Sequence, residues 1–126
     1  MCDFCNNKCK CVKRSSLFNI PNYLIISFKR FDHMTNTKKT HYIDFPISLD
    51  IGKYIDVDIP AHLKTNCEYE LISVINHIGI QNGGHYYNYS RNSSDGQWYK
   101  FNDEYVSQIN LSSIVTPEAY IIVYAK

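Results

Sequence analysis

The chain is 126 residues long, 44% hydrophobic and 20% charged, and its four Pro and five Gly leave no room for a collagenous or low-complexity sequence. Thirteen Lys and Arg against twelve Asp and Glu give a formal net charge of +1, too weak a field to gather a polyanion, so nucleic acid is not an expected partner. The longest apolar run, residues 119–125, falls far short of the ~20 residues a membrane helix needs, and the polar, basic N-terminus has no apolar signal core, so no membrane partner is expected either.

The first feature met in chain order is a run of cysteines. Four of the five fall in Cys2-x-x-Cys5-x-x-x-Cys9-x-Cys11. With no secretory signal, metal ligation or reduced thiols are expected ahead of a disulfide framework, and the expected compartment is reducing, that is cytoplasmic or nuclear. The interleaved Lys8, Lys10, Lys13 and Arg14 can offset thiolate charge. Beyond them the hydrophobic period is two rather than 3.6. Residues 16–20 read as a short strand stopped by Pro21, and residues 23–31 as a longer one with Lys29-Arg30 on its solvated side. A polar connection over 32–39 leads to alternation over 40–45. Residues 47–60 have no clear period, and residues 61–68 read as a polar loop. Strands are expected over 69–79, 85–91, 97–101 and 119–125. Strands joined by turn-rich links, with almost no helical pattern, argue for an antiparallel sheet in one domain. Trp98 and the many tyrosines sit at strand spacing and are expected to pack; His33, His41 and His62 lie in polar context and are expected to be exposed.

The densest chemistry lies in Gly83-Gly84-His85-Tyr86-Tyr87-Asn88-Tyr89-Ser90-Arg91 and Gln97-Trp98-Tyr99-Lys100-Phe101-Asn102-Asp103, two aromatic-rich strands around Asn, Ser, Asp and Gly. They read as a β-hairpin. A four-residue loop over 92–95 pairs Arg91 with Gly96 and sets His85 opposite Asn102; a one-residue slip sets it opposite Asp103. In both registers an imidazole, the base whose pKa lies near neutrality, meets an acceptor able to hold its ring, which is two parts of a nucleophile–base–orienter triad.

These residues carry a resemblance. Gly84-His85-Tyr86 with Trp98-Tyr-Lys-Phe-Asn-Asp103, preceded by Tyr69-Glu-Leu-Ile-Ser-Val-Ile-Asn-His77-Ile-Gly79, is similar to the histidine box of the ubiquitin-specific proteases, the papain-like cysteine deubiquitinases. Ile20-Pro21-Asn22-Tyr23-Leu24-Ile25-Ile26-Ser27-Phe28-Lys29-Arg30-Phe31, Tyr42-Ile-Asp-Phe-Pro46 and Ala119-Tyr-Ile-Ile-Val-Tyr124 resemble other elements of that family, so the likeness covers nearly the whole chain. It implies an α+β papain-like cysteine peptidase fold, of which this chain is the mostly β palm and fingers portion: a twisted antiparallel sheet with little helix. Residues 1–16 would be half of a zinc knuckle and the fingers edge, and residues 17–126 the palm sheet.

The resemblance also implies roles. His85 is the general base, with Asn102 as orienter and Asp103 as the alternative; His77, Gln81, Asn82, Gly83, Gly84 and Tyr86 belong to a ubiquitin-contacting region, the two glycines leaving room for ubiquitin's C-terminal tail. Cys2 and Cys5 correspond to half of a structural zinc site, completed by an upstream Cys-x-x-Cys; Cys9 and Cys11, which have no counterpart, could instead complete a local four-thiolate set, though the Cys-x-Cys spacing is tight. No cofactor takes part in the chemistry. The family's nucleophilic cysteine belongs to a box ahead of Cys2, so the chain is expected to be the C-terminal part of a larger catalytic domain and inactive alone; Cys67 is a loop thiol. Ubiquitin or ubiquitinated proteins are the expected partners. The alternative expectation is a non-catalytic ubiquitin-binding or scaffold module.

Overall fold

β-Branched and aromatic side chains suit a pleated, half-buried surface, and the segments richest in them form the strands. In the computed structural model, which describes residues 2–60 and 66–126, these are β1 (Tyr23–Ser27), β2 (Phe31–Asp32), β3 (Thr37–Lys38), β4 (Ser48–Asp50), β5 (Glu68–Ile80), β6 (Gly83–Arg91), β7 (Trp98–Asn102), β8 (Tyr105–Ile109) and β9 (Ala119–Ala125). His62 and most of the loop expected over 61–68 lie outside the described residues. Helix is confined, among the described residues, to single 3-10 turns at Gly52–Tyr54 and Leu111–Ser113.

Seven strands make one sheet in the order β1-β9-β5-β6-β7-β8, with β4 added to the start of β5, and every pairing is antiparallel. Strand β5 is the spine. Its first residues bind β4, its later ones β6, and β9 runs along its other side. Two register shifts interrupt the β5–β9 ladder, one between Leu71 and Ser73 and one between Ile75 and Asn76. The first leaves Ile72 as an extra residue on β5, and because side chains alternate, it moves the inward set from Tyr69 and Leu71 to Val74 and Asn76. The inward face gathers Tyr69, Leu71, Val74, Tyr87, Tyr89, Trp98, Ile122 and Tyr124 against Phe45, Ile51, Ile55, Ile59 and Ile114 from the irregular segments. Burial holds the Tyr124 phenol up at about 12, and its hydroxyl donates to Pro46 O at 2.6 Å.

Besides β4, which forms within the segment read as lacking a clear period, the structure departs from the strand expectations in four places. Residues 16–20 form only one bridge, Leu17 to Ile55. The strand expected over 23–31 ends at Ser27 and resumes at Phe31, where a two-stranded ribbon of β2 and β3 replaces the polar connection. Residues 40–45 form no strand. Strand β8 was not anticipated, because four of its five residues are exposed and give no alternation.

Arg30 accounts for the second and third of these. Expected on a solvated face, it is 1% exposed. Its Nε–H donates to Ala119 O at 2.6 Å and its Nη1 group to Lys39 O and His41 O, both at 3.0 Å. The carbonyls flanking Thr40 thus bind a side chain rather than a neighbouring strand. Arg30→Met keeps much of the volume but strips three carbonyls of their donor, and it is expected to lower the unfolding free energy by about 3 kcal/mol or more. A urea titration reads this directly; a loss below about 1 kcal/mol would show that water replaces the guanidinium.

Candidate active site

Strands β6 and β7 pair Asn88 with Phe101, Tyr89 with Lys100, Ser90 with Tyr99 and Arg91 with Trp98. The turn between them does hold four residues, but they are 93–96, one position later than expected. Asn92 N–H closes it on Gln97 O at 2.9 Å, Asn92 Oδ1 accepts from Ser94 N–H, Asp95 Oδ1 accepts from Gln97 N–H, and Gly96 takes a φ of +70°. Continued along both strands, this register sets Tyr87, not His85, opposite Asn102. The shift totals two residues and so preserves the face: His85 and Asn102 are diagonal neighbours within side-chain reach.

They meet. His85 Nε2 lies 2.5 Å from Asn102 Oδ1, and Asp103 Oδ2 stands 3.8 Å from the same nitrogen. An amide oxygen only accepts, so Nε2 carries the proton and donates, and in the neutral ring Nδ1 keeps the lone pair. The hydrogen bond thereby selects Nδ1 as the basic atom. Asn102 is the hydrogen-bonded orienter; Asp103, at ion-pair distance, can act only by charge, and only once the ring is protonated. Asp103 occupies the two-residue link to β8 with a φ of +53°, a conformation Asp tolerates better than most residues. The side chains of His85 and Asp103 are 46% and 77% exposed.

The opposite face of the same strand ends is closed. His77, expected to touch substrate, is 3% exposed. Its ring lies between Phe31 (centroids 5.4 Å apart) and Tyr86 (4.6 Å), with Tyr120 beyond at 6.4 Å. Lys38 Nζ donates to His77 O at 2.5 Å. The β2–β3 ribbon also grips the β5–β6 turn: Gln81 Nε2 is 3.0 Å from His33 Nδ1 and Asn82 Nδ2 donates to Asn36 Oδ1 at 3.5 Å. None of Phe31, His33, Asn36, Lys38 or Tyr120 was singled out for the site from sequence. Only Phe31, in the Lys-Arg-Phe run, carried a signal, since contact across 40 residues leaves no local pattern.

The two glycines before His85 differ. A Cβ on Gly83 would meet nothing within 4 Å, whereas one on Gly84 would lie 2.3 Å from both His77 Nε2 and Ile78 O. Gly84 is therefore demanded by its own neighbour strand, and only at Gly83 is there space for an external chain. Gly79, at φ +115°, is confined in the same way by Gly83 O and Gly84 Cα.

The cysteines lie elsewhere. The sulfurs of Cys2, Cys5 and Cys9 fall within 4.8 Å of one another, a donor set that fits a thiophilic metal; Cys11 is not in the group. Backbone N–H groups of Cys5 and Phe4 lower the Cys2 thiol, while the Cys9 thiol is raised by sharing its proton with the sulfurs of Cys2 and Cys5. Cys67 precedes β5 and packs against the core. Since His85 pairs with Ile78, eleven residues along the strand, some 35 Å separate this thiol from the imidazole.

The profile of the family described as "Ubiquitin carboxyl-terminal hydrolase" matches residues 1–124. The chain belongs to the ubiquitin carboxyl-terminal hydrolase family. It is 35% identical over 127 residues to a probable ubiquitin carboxyl-terminal hydrolase of Acanthamoeba polyphaga mimivirus, covering 99% of this chain and 27% of that protein. Ubiquitin carboxyl-terminal hydrolase 8 of Saccharomyces cerevisiae is 32% identical over 131 residues, with 98% and 28% covered. Among solved structures, the SAGA DUB module of Ubp8, Sgf11, Sus1 and Sgf73 bound to monoubiquitin matches with a TM-score of 0.81 at 33% identity, over 98% of this chain and 27% of that one. The same module bound to ubiquitin aldehyde matches with a TM-score of 0.75 at 32% identity, over 87% and 25%. The chain therefore spans about a quarter of the length of these relatives, and its sheet is the mostly β part of the family's papain-like fold.

Two measurements check this account of the site. Gly84→Ala forces a Cβ into backbone and is expected to destabilise the protein by about 2 kcal/mol, while Gly83→Ala stays within about 0.5 kcal/mol of the parent. Denaturant unfolding of both variants compares them, and equal effects would refute the packing argument. The second concerns pH. Burial, and secondarily Lys38, hold His77 below its ordinary 6.5. The unfolded chain then binds the proton first, so the stability tied to this ring is complete above about pH 6.5 and is lost as pH falls toward the folded value. His77→Gln is expected to flatten that part of the stability–pH curve.

Proposed function

We propose that this chain is the base-bearing part of a cysteine-type deubiquitinase, a thiol-dependent hydrolase of the bond after ubiquitin's C-terminal glycine. The observation that carries the reading is the His85 Nε2–H to Asn102 Oδ1 hydrogen bond, which leaves Nδ1 as the base. Family membership and the ubiquitin-bound state of the similar modules support it. The thiol comes from a segment of the protein outside residues 1–126, because Cys67 lies too far along β5. His85 Nδ1 takes the proton of that thiol, whose unperturbed pKa would be ~8.5, and the thiolate attacks the carbonyl carbon. The imidazolium then gives its proton to the departing amine, and water, deprotonated by the same ring, releases ubiquitin from the thioester. Asn102 keeps the ring oriented throughout, and Asp103 favours the charged ring.

Ubiquitin's extended tail approaches His85 past Gly83, where a Cβ would meet nothing within 4 Å, with the half-buried Gln81 and the exposed Asn82 and Tyr86 as its neighbours. His77 supports this surface from beneath. In the full-length protein, His85→Ala is expected to lower reactivity toward a ubiquitin probe with an electrophilic C-terminus by about 10³-fold, and Asn102→Ala by about 10- to 100-fold, with Asp103→Ala milder than either. Full reactivity of the His85 variant would overturn the assignment. Ubiquitin binding without hydrolysis by the unmodified full-length protein would identify a non-catalytic module instead.

A further inference from the structure

Two hairpin tips flank His85 at one end of the sheet. On one side is the β5–β6 turn, with Gly83 paired to Ile80; on the other is the two-residue link from β7 to β8, Asp103-Glu104, closed by the pair of Asn102 and Tyr105. Directly opposed residues point to the same face with Cβ atoms about 5 Å apart, so Tyr105 stands beside Asn102 on the face that carries His85. Its ring is 72% exposed, and among the described residues no ring contact or side-chain hydrogen bond holds it. A single exposed aromatic is ordinary on a protein surface. What sets this one apart is its neighbour, the acceptor that orients the base. Lys100, two residues before Asn102 on the same face, places its ammonium 4.6 Å from the Tyr87 ring centroid and so directs its charge toward β6 rather than toward Tyr105. Glu104 is exposed and forms no ion pair among the described residues, and Asp103 lies 3.8 Å from His85 Nε2. The β7–β8 tip is therefore aromatic and negative.

We propose that Tyr105 is a specificity residue on the leaving-group side of His85, its ring forming the wall against which the methylene stem of the modified lysine lies, with Glu104 favouring a lysine whose neighbours are basic. The inference rests on the deubiquitinase reading of His85. With ubiquitin's tail reaching the base past Gly83, the group on the far side of the scissile bond departs over the opposite tip. In a ubiquitinated protein that group is a lysine, four methylenes ending in the nitrogen that takes the imidazolium proton. A flat ring suits a methylene stem, and an aromatic face beside a carboxylate suits the cationic side chains around it. The partner of this tip is thus the lysine-bearing segment of the substrate protein rather than ubiquitin itself.

The test uses the full-length protein and two kinds of reagent: a ubiquitin probe whose small C-terminal electrophile has nothing beyond it, and ubiquitin joined by an isopeptide bond to the one lysine of a short peptide with basic or with acidic flanks. Tyr105→Ala is expected to lower kcat/KM for the isopeptide about tenfold, the effect of uncovering one or two methylenes, while probe labelling stays within about twofold of the parent. Tyr105→Phe keeps the ring and is expected to restore isopeptide cleavage. Glu104→Gln is expected to narrow the preference for basic over acidic flanks by about two- to fivefold at low salt, and added salt to remove that difference. Equal losses on probe and isopeptide would overturn the proposal, since Tyr105 would then act through Asn102 and His85, and so would an alanine variant that cleaves the isopeptide as the parent does. A parent indifferent to the flanks would overturn the part given to Glu104. A parent inert toward both reagents would refute the deubiquitinase reading itself, an outcome visible before any variant is made.

Discussion

The extra residue at Ile72 is the constraint on which the arrangement depends. Strand β5 must bury Tyr69 and Leu71 against β4 and the loops at one end, and deliver its pairing partner, His85, to a particular face at the other. Alternation is strict, so an unbroken thirteen-residue strand would turn residues 73, 75 and 77 inward and carry Ile78 and the paired His85 to the opposite side. The bulge restores Val74 and Asn76 to the core and with them sets Ile78 and His85 on the core face. The compensating shift on β9, beside Tyr120, returns Ala119 inward, where its carbonyl receives Arg30. Asn76, fully buried, is satisfied by Thr116 Oγ1–H at 2.8 Å, so the polar residue that the bulge turns inward carries no unpaired oxygen.

That geometry gives the two faces of the β5–β6 tip different tasks. One presents His85 and Asn102 to solvent. The other rests on aromatic rings and on the β2–β3 ribbon, whose Lys38, His33 and Asn36 reach the strand and its turn. A hairpin tip otherwise frays, since its last hydrogen bonds are exposed; here His77 fills the space beneath Gly84 and the ribbon holds the turn from behind. The Gly-Gly pair before His85 is thus not one requirement: Gly84 is fixed by internal packing, and Gly83 faces open space.

Sequence pattern revealed what depends on local alternation and missed what depends on long-range polar contacts. Residues 119–125 form β9 with the expected limits, and β6 and β7 differ from expectation by one or two residues at their ends. The His85–Asn102 contact was legible even though the register was two residues off, because an even error preserves the face. The side-chain bonds of Asn92 and Asp95, which place the turn, have no signature in hydrophobic period. Arg30 was misread for the complementary reason: Lys-Arg inside a β-rich run looks solvated unless the three carbonyls that receive the guanidinium are known, and these come from residues 39, 41 and 119.

On the proposed reading, the exposure of His85 has a mechanistic consequence. An imidazolium 3.8 Å from a carboxylate that is 77% exposed gains little from it, since such pairs in water are worth at most about 1 kcal/mol. The same pair, once water is excluded, gains several-fold through the lower local dielectric. Ile78, 51% exposed, faces His85 across the ladder, and Ile80, 70% exposed, follows on the same face. On the proposed reading, a thiol-bearing segment reaching Nδ1 must cross this apolar surface and cover it. The approach that supplies the nucleophile would then also dry the ion pair, strengthening the support for the charged ring at the step that creates it. On that reading, the hydrogen bond to Asn102 sets the His85 tautomer without help, whereas Asp103 needs a cover to act at full strength.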